Sequence, residues 1–204
     1  MNPIFLFPTV VIEDELNDSS LMDGLISYCD HLKRGTLSPV DEGCSNWQSK
    51  ADIHLNKDNK HVLKVNKLLL ESASKYMNFM KFTYNSLQIS SMWFNYYESN
   101  DHLQPHIHPN SVVSGVLCLS DGSDLQFIDP NETMKTMTLP LMEDTFHNST
   151  HFNYKPQRGK IILFPSWLKH TVLPNYTKSR ISLAFNIMFK GNIGSYEYKT
   201  FAKY

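Results

Sequence analysis

Apolar residues recur at steps of three and four from Val62 through Val65, Leu69, Ala73 and Tyr76 to Met80. That spacing lays one apolar stripe along a helix predicted from about Lys60 to Thr83. An earlier helix is predicted behind Asn17-Asp18-Ser19-Ser20, a run of N-cap residues, through about Lys33, with Gly35 to close it. Before it, Met1–Ile12 mixes β-branched and aromatic residues with prolines and reads as an edge strand. The loop between the helices holds Pro39, Gly43 and Trp47-Gln48-Ser49, where Trp47 reads as a packing residue.

From Leu87 the period shortens. Gln88–Tyr97, Val112–Leu119, Asp124–Ile128, Lys160–Phe164 and Ser179–Phe189 are short aliphatic and aromatic runs, parted by turn signals such as Asp121-Gly122, Asp129-Pro130, Arg158-Gly159 and Pro174-Asn175. The last run alternates: Ile181, Leu183, Phe185, Ile187 and Phe189 on one face, Arg180, Ser182, Ala184 and Asn186 on the other. A small, polar face opposite an apolar one predicts a sheet whose second side borders a cavity. Two helices followed by many strands predict a mainly β, α+β chain, a double-sheet β-roll with the helices packed on one outer face. No repeat or linker divides it, so residues 1–204 are expected to be one domain. Within it, 1–86 supply the N-terminal strand and supporting helices, 87–190 the β core and 191–204 a C-terminal tail.

Composition removes several classes. The 204 residues carry 19 basic and 20 acidic side chains, a net charge of -1, which disfavours extended nucleic-acid binding. No apolar run reaches the length of a membrane span. Met1–Ile12 lacks the basic start and small-residue cleavage site of a secretory signal. Cys29, Cys44 and Cys118 form no CxxC pair, which argues against a disulfide framework or zinc ribbon and for a reducing cytoplasm.

The chemistry concentrates in Pro105-His106-Ile107-His108-Pro109-Asn110. In extended chain, positions i and i+2 point the same way with α-carbons roughly 6.6 Å apart, so His106 and His108 can grip one metal from one side. Imidazole suits iron, zinc, copper or nickel. A second segment, Gly159–His170, reads as a buried strand, a proline-containing turn and a histidine opening the next strand. Ten residues on, Arg180 shares a strand face with Ser182. A buried arginine needs an anionic partner, since an unpaired charge there costs several kcal/mol. A ligand carboxylate, gripped by the guanidinium and hydrogen-bonded by Ser182, would supply it.

This combination resembles the 2-oxoglutarate- and Fe(II)-dependent oxygenases. Their double-stranded β-helix, a jelly-roll or cupin-like fold, carries an H-x-D/E pair, a distal histidine and an R-x-S about ten residues later. More narrowly, the chain is similar to a group of bacterial and phage 2OG-Fe(II) oxygenases with H-x-H-P-N-S-x-x-S-G-V, L-x-F-x-D-P and F-P-S-W-L-x-H motifs. Here these read His106–Val116, Leu125–Pro130 and Phe164–His170. The ordered match runs from about Trp93 to Asn186. The resemblance implies His106, His108 and His170 as iron ligands and Arg180 with Ser182 as the 2-oxoglutarate anchor. Co-substrates would be 2-oxoglutarate and O₂, and the products succinate, CO₂ and a hydroxylated substrate, a small molecule or protein side chain.

His108 stands where the superfamily usually has Asp or Glu. Either it completes a three-histidine set, the reading preferred here, or a carboxylate such as Asp101 or Asp129 does. Leu117 and Cys118 replace the aromatics that often follow the Ser-Gly-Val, leaving Asn95, Tyr97 or Ser114 as further candidates to touch the co-substrate. His102, His147 and His151 read as surface residues, the last two in a loop over Glu143–Tyr154. Two rival readings stay open: a three-histidine metal dioxygenase that does not use 2-oxoglutarate, and a non-catalytic jelly-roll binding module. A homodimer is compatible with the edge strands. The expected location is the cytoplasm, that of the host if the chain is phage-encoded.

Overall fold

A computed structural model describes residues 2, 4, 6–35, 45–131, 140–194, 197 and 199–203. Pro39, Gly43 and Cys44 lie outside the described residues, as does Tyr196 of the tail. In chain order the strands are β1 (Ile12–Glu15), β2 (Trp47–Gln48), β3 (Ser86–Glu98), β4 (Leu103–His106), β5 (Val113–Cys118) and β6 (Leu125–Ile128). They continue with β7 (His151–Tyr154), β8 (Lys160–Pro165), β9 (His170–Val172), β10 (Ser179–Lys190), β11 (Asn192–Ile193) and β12 (Ala202–Lys203). Helices α1 (Ser19–Gly35) and α2 (Lys60–Phe79) flank the loop that carries β2.

A six-stranded sheet runs β1-β8-β5-β10-β3-β2, and a four-stranded sheet runs β4-β9-β6-β7. From β3 to β10 the chain passes repeatedly between the two sheets, pairing antiparallel within each. That is the double-stranded β-helix. The alternation in β10 sorts the layers. Ile181, Leu183, Phe185 and Ile187 join Met92 and Phe94 of β3 in a core shared with Leu25, Val65, Leu69 and Ala73 of the helices. The opposite faces join Val116, Cys118, Ile162 and Phe164 to Leu125, Phe127 and Val172, filling the space between the sheets. Gly115 of β5 is required by this packing, because a Cβ there would stand 2.2 Å from the Phe185 ring.

Local chemistry starts and stops the helices. Asp18 Oδ1 accepts from the Leu21 amide at 2.9 Å, and Asn59 Oδ1 accepts from His61 N and Val62 N, so each helix begins on a side-chain cap. Asp14 of β1 takes Ser72 Oγ and Lys75 Nζ at 2.7 Å each and ties α2 to the sheet edge. No helix among the described residues is long and apolar enough to cross a membrane.

Three expectations need correction. The strand expected over Met1–Ile12 begins only at Ile12, where pairing with Leu163 of β8 starts; Pro8, which lacks an amide hydrogen, lies upstream. Helix α2 stops at Phe79 rather than Thr83, because Lys81 turns left-handed (φ 57°) and the Phe82 amide bonds back to the Met77 carbonyl at 3.1 Å. The loop expected over Glu143–Tyr154 ends in strand β7, which pairs with β6.

Candidate active site

His106 closes β4, His108 follows in the turn before β5, and His170 opens β9 directly opposite His106. The His108 amide donates to the Ser166 carbonyl at 3.0 Å, which pins that turn to the β8–β9 connection. The three rings converge. One ligand atom from each lies within 4.8 Å of the others, and Nε2 of His106 is 3.1 Å from Nε2 of His108. Ring centroids are 4.3 Å apart for His106–His170 and 4.9 Å for His108–His170.

Each outer nitrogen has an oxygen to face. Nδ1 of His106 meets the Gln104 carbonyl at 2.9 Å, Nδ1 of His170 the Leu168 carbonyl at 2.9 Å, and Nδ1 of His108 the Asn186 Oδ1 at 2.6 Å. A proton on each Nδ1 leaves three Nε2 lone pairs aimed at one point, where they repel unless a cation sits among them. Two nitrogens bound to one ion at about 2.1 Å and at right angles lie about 3 Å apart, so the His106–His108 spacing fits a transition metal. Phe164 packs edge-on to His170 with centroids 4.6 Å apart, and Trp93 lies 5.5 Å from His108. Burial in this apolar collar holds His108 down to about 4 and His170 to about 3, with His106 also lowered. All three imidazoles are therefore neutral at ordinary pH.

A cavity of about 420 Å³ opens beside the histidines and extends to Arg180, Ser182 and Ala184 of β10 and to Trp93, Asn95 and Tyr97 of β3. Arg180 is 2% exposed, and its guanidinium carbon sits 4.8 Å over the Tyr97 ring. Nη1 donates to Ser182 Oγ at 3.4 Å, and Nε has no hydrogen-bond partner among the described residues. Among the described residues no carboxylate forms an ion pair with it. The site thus holds an arginine short of an anion.

Of the further candidates, Asn95 and Tyr97 line the cavity, Asn95 accepting from Asn46 Nδ2 at 3.3 Å. Ser114 does not reach it. Its hydroxyl is fully buried between Ser166 Oγ at 2.9 Å and Asn186 Oδ1 at 2.8 Å, behind His108 rather than before the co-substrate space. Neither carboxylate alternative joins the histidines: Asp101 Oδ2 accepts from the Glu98 amide and Asp129 Oδ1 from the Asn131 amide, each in its own turn. His102 is exposed and bonded to Ser45. Asn186, which lines the cavity and bonds His108, is the part of the site that the sequence motifs do not mark. The signal for Asn186 was its place on the same alternating face as Arg180 and Ser182.

A double-stranded β-helix with a histidine cluster and a buried arginine on one inner cavity is an arrangement similar to that of the 2-oxoglutarate- and Fe(II)-dependent oxygenases. Residues 91–186, which contain every one of these side chains, match the family described as "Putative 2OG-Fe(II) oxygenase". No curated protein matches the chain in sequence. Among solved structures, it is similar to a Pseudomonas putida prolyl-4-hydroxylase (16% identity, 90% of this chain and 94% of that one, TM-score 0.65). It is also similar to Streptomyces hygroscopicus HygX with nickel and 2-oxoglutarate bound (14%, 88% and 83%, TM-score 0.58). A third, a Trichoplax adhaerens prolyl hydroxylase in complex with a hypoxia-inducible-factor peptide, gives 14%, 88%, 83% and 0.61. At these identities the likeness carries the fold, and the family match covers residues 91–186, the segment that holds the three histidines and Arg180.

Proposed function

We propose that the protein is a 2-oxoglutarate-dependent dioxygenase that hydroxylates a substrate entering at the cavity mouth. The observation that carries this is Arg180: a buried guanidinium with an unpartnered Nε, opening on the same cavity as the three histidines. A dicarboxylate can satisfy both ends of that cavity at once. His106, His108 and His170 would hold Fe(II), which when bound supplies the oxidative chemistry that couples loss of CO₂ from 2-oxoglutarate to C–H hydroxylation.

The chain's own part is placement. Arg180 and Ser182 receive the far carboxylate, and Tyr97 beneath the guanidinium keeps it from swinging toward solvent. Phe164 and Trp93 exclude water from the histidine side. Three neutral imidazoles leave a divalent charge wholly uncompensated by the protein, which favours a dianionic co-substrate in the remaining positions.

The test is succinate formation from 2-oxoglutarate with and without added Fe(II). Iron-dependent succinate that disappears in His170→Ala supports the reading; no succinate and no uptake of Fe(II) or Co(II) would defeat it. The neutral His108 favours one rival, a three-histidine dioxygenase that cleaves a chelating substrate directly. Under that rival the protein takes up iron, forms no succinate, and uses Arg180 for the substrate's own carboxylate.

A further inference from the structure

His106 and His170 are oriented alike, each Nδ1 donating to the backbone carbonyl two residues earlier, Gln104 and Leu168. His108 differs. Its Nδ1 meets a side chain, Oδ1 of Asn186, at 2.6 Å. We propose that Asn186 is a positioning residue that fixes the His108 tautomer and so makes an imidazole at this position a metal ligand. The inference rests on the reading of the three histidines as one metal site.

The Asn186 amide has two orientations, and they have opposite consequences. With Oδ1 toward His108, the imidazole carries its proton on Nδ1 and presents a bare Nε2. With the amide turned over, Nδ2 would face Nδ1, and the imidazole proton would move to Nε2. That proton would point at His106 Nε2, 3.1 Å away, and occupy the lone pair an ion needs. The surroundings favour the first. A separation of 2.6 Å is at the short limit for N–H···O. On the far side Asn186 Nδ2 donates to Ser91 Oγ at 2.9 Å. The Ser114 hydroxyl donates to Oδ1 at 2.8 Å and lies 2.9 Å from Ser166 Oγ. Asn186 Oδ1 thus receives two donors, and its amide donates to a third group.

Ser114 is 0%, Ser166 1% and Asn186 8% exposed, so bulk water cannot replace a lost partner. The Ser166 carbonyl also accepts from the His108 backbone amide, so the same cluster holds both ends of the residue. Partners of this kind typically change metal affinity by about 10- to 100-fold when removed.

Two measurements on the full chain test this. Long-range ¹⁵N imidazole NMR of the metal-free protein reads the tautomer of each histidine, and Co(II) titration reads affinity without any turnover. We expect His108 as the Nδ1–H tautomer in the wild type and a shift toward Nε2–H in Asn186→Leu, with His106 and His170 unmoved. Co(II) affinity should fall by about 10- to 100-fold in that variant. Asn186→Asp, which keeps an acceptor, should retain the tautomer and bind within a few-fold of wild type. Ser114→Ala is the milder variant if the leucine does not fold, and should lose affinity in the same direction. A wild-type His108 protonated on Nε2, or an Asn186→Leu protein that binds Co(II) as the wild type does, overturns the assignment. A wild type that takes up neither Co(II) nor Fe(II) instead sinks the underlying metal-site reading, and the tautomer result still decides whether Asn186 orients His108.

Discussion

Arg180 carries its aliphatic stem across the backbone of Gly122, so closely that a Cβ at Gly122 would stand 2.6 Å from Cγ and 2.7 Å from Cβ of the arginine. The glycine is needed here for space, since its φ is not in the left-handed region. The arginine is therefore held with its stem against a bare backbone and its guanidinium over the Tyr97 ring.

Gly122→Ala should displace the arginine without touching the histidines. Overpacking of this kind costs about 1–3 kcal/mol of stability. A guanidinium moved by an ångström should raise the 2-oxoglutarate requirement by about 10- to 100-fold. Fe(II) affinity measured before 2-oxoglutarate is added should stay at the wild-type value. Titrating metal and co-substrate separately checks both halves; equal losses in the two would mean that the strain spreads through the whole site.

Arg180→Met makes a prediction of opposite sign for stability and binding. An unpaired buried charge weakens the unliganded fold, and an apolar residue of similar length should relieve it by about 1–4 kcal/mol. The variant should melt higher than wild type in the absence of 2-oxoglutarate. It should also lose the upward shift in Tm that 2-oxoglutarate gives the wild type. A lower Tm for the free variant would mean that the arginine is satisfied in some other way.

The parts of this architecture that could be read along the chain are those where one rule dominates. In β10 the strict alternation from Arg180 to Ile187 separates the cavity face from the helix-packed face with no tertiary information. His106 and His108 could be paired from spacing alone, but Asn186 could not be joined to them, because it lies 78 positions from His108 and its amide bears no charge to flag it. Strand β7 was hidden because most of its residues are exposed and so carry no burial pattern. Strand β4 contains Pro105, which argues against a strand and is tolerated because β4 lies at the edge of its sheet. The end of α2 was misplaced because Lys81, not a glycine, takes the left-handed position. Ser114 faces inward as its place in β5 suggests, yet its neighbour across the sheet is Asn186, so it meets a buried amide rather than the cavity.

Acid should destabilise the metal-free protein through the histidines. Burial lowers His108 to about 4 in the folded chain, against an unfolded value near 6.5. Between those values the unfolded chain binds more protons than the folded one, so stability falls as pH falls from about 6.5 and is unaffected by this group above it. By pH 5 the loss from His108 alone is about 2 kcal/mol. His170, lowered further by burial, adds a loss of the same sign. Carboxylates such as Asp14 and Glu13, held low by their partners, act only in more acid solution. Urea unfolding of chelator-treated protein at pH 7.5, 6.5 and 5 checks this. A flat profile would mean that the rings are hydrated.

Two substitutions at His108 should separate the ligand from its support. The two carboxylate oxygens of Asp, or the Oδ1 and Nδ2 of Asn, lie near where Nδ1 and Cδ2 of histidine lie, and neither reaches the place of Nε2. In His108→Asn the amide nitrogen can therefore keep donating to Asn186 Oδ1, which now stands 2.6 Å from Nδ1, while the third metal ligand is gone. That variant should fold with stability close to wild type and lose metal binding. In His108→Asp, a carboxylate oxygen would face the Asn186 oxygen, acceptor against acceptor, in a site 8% exposed. The Asn186 amide would have to turn over and give up its present donation to Ser91 and the bond from Ser114. His108→Asp should therefore lose both metal binding and about 1–3 kcal/mol of stability, even though it restores the residue type that this position usually carries in the superfamily. Denaturant unfolding and Co(II) titration of the two variants side by side give the answer. If His108→Asp binds the ion as tightly as wild type does, the surroundings accept a carboxylate without rearrangement and the imidazole is not what they are built to hold.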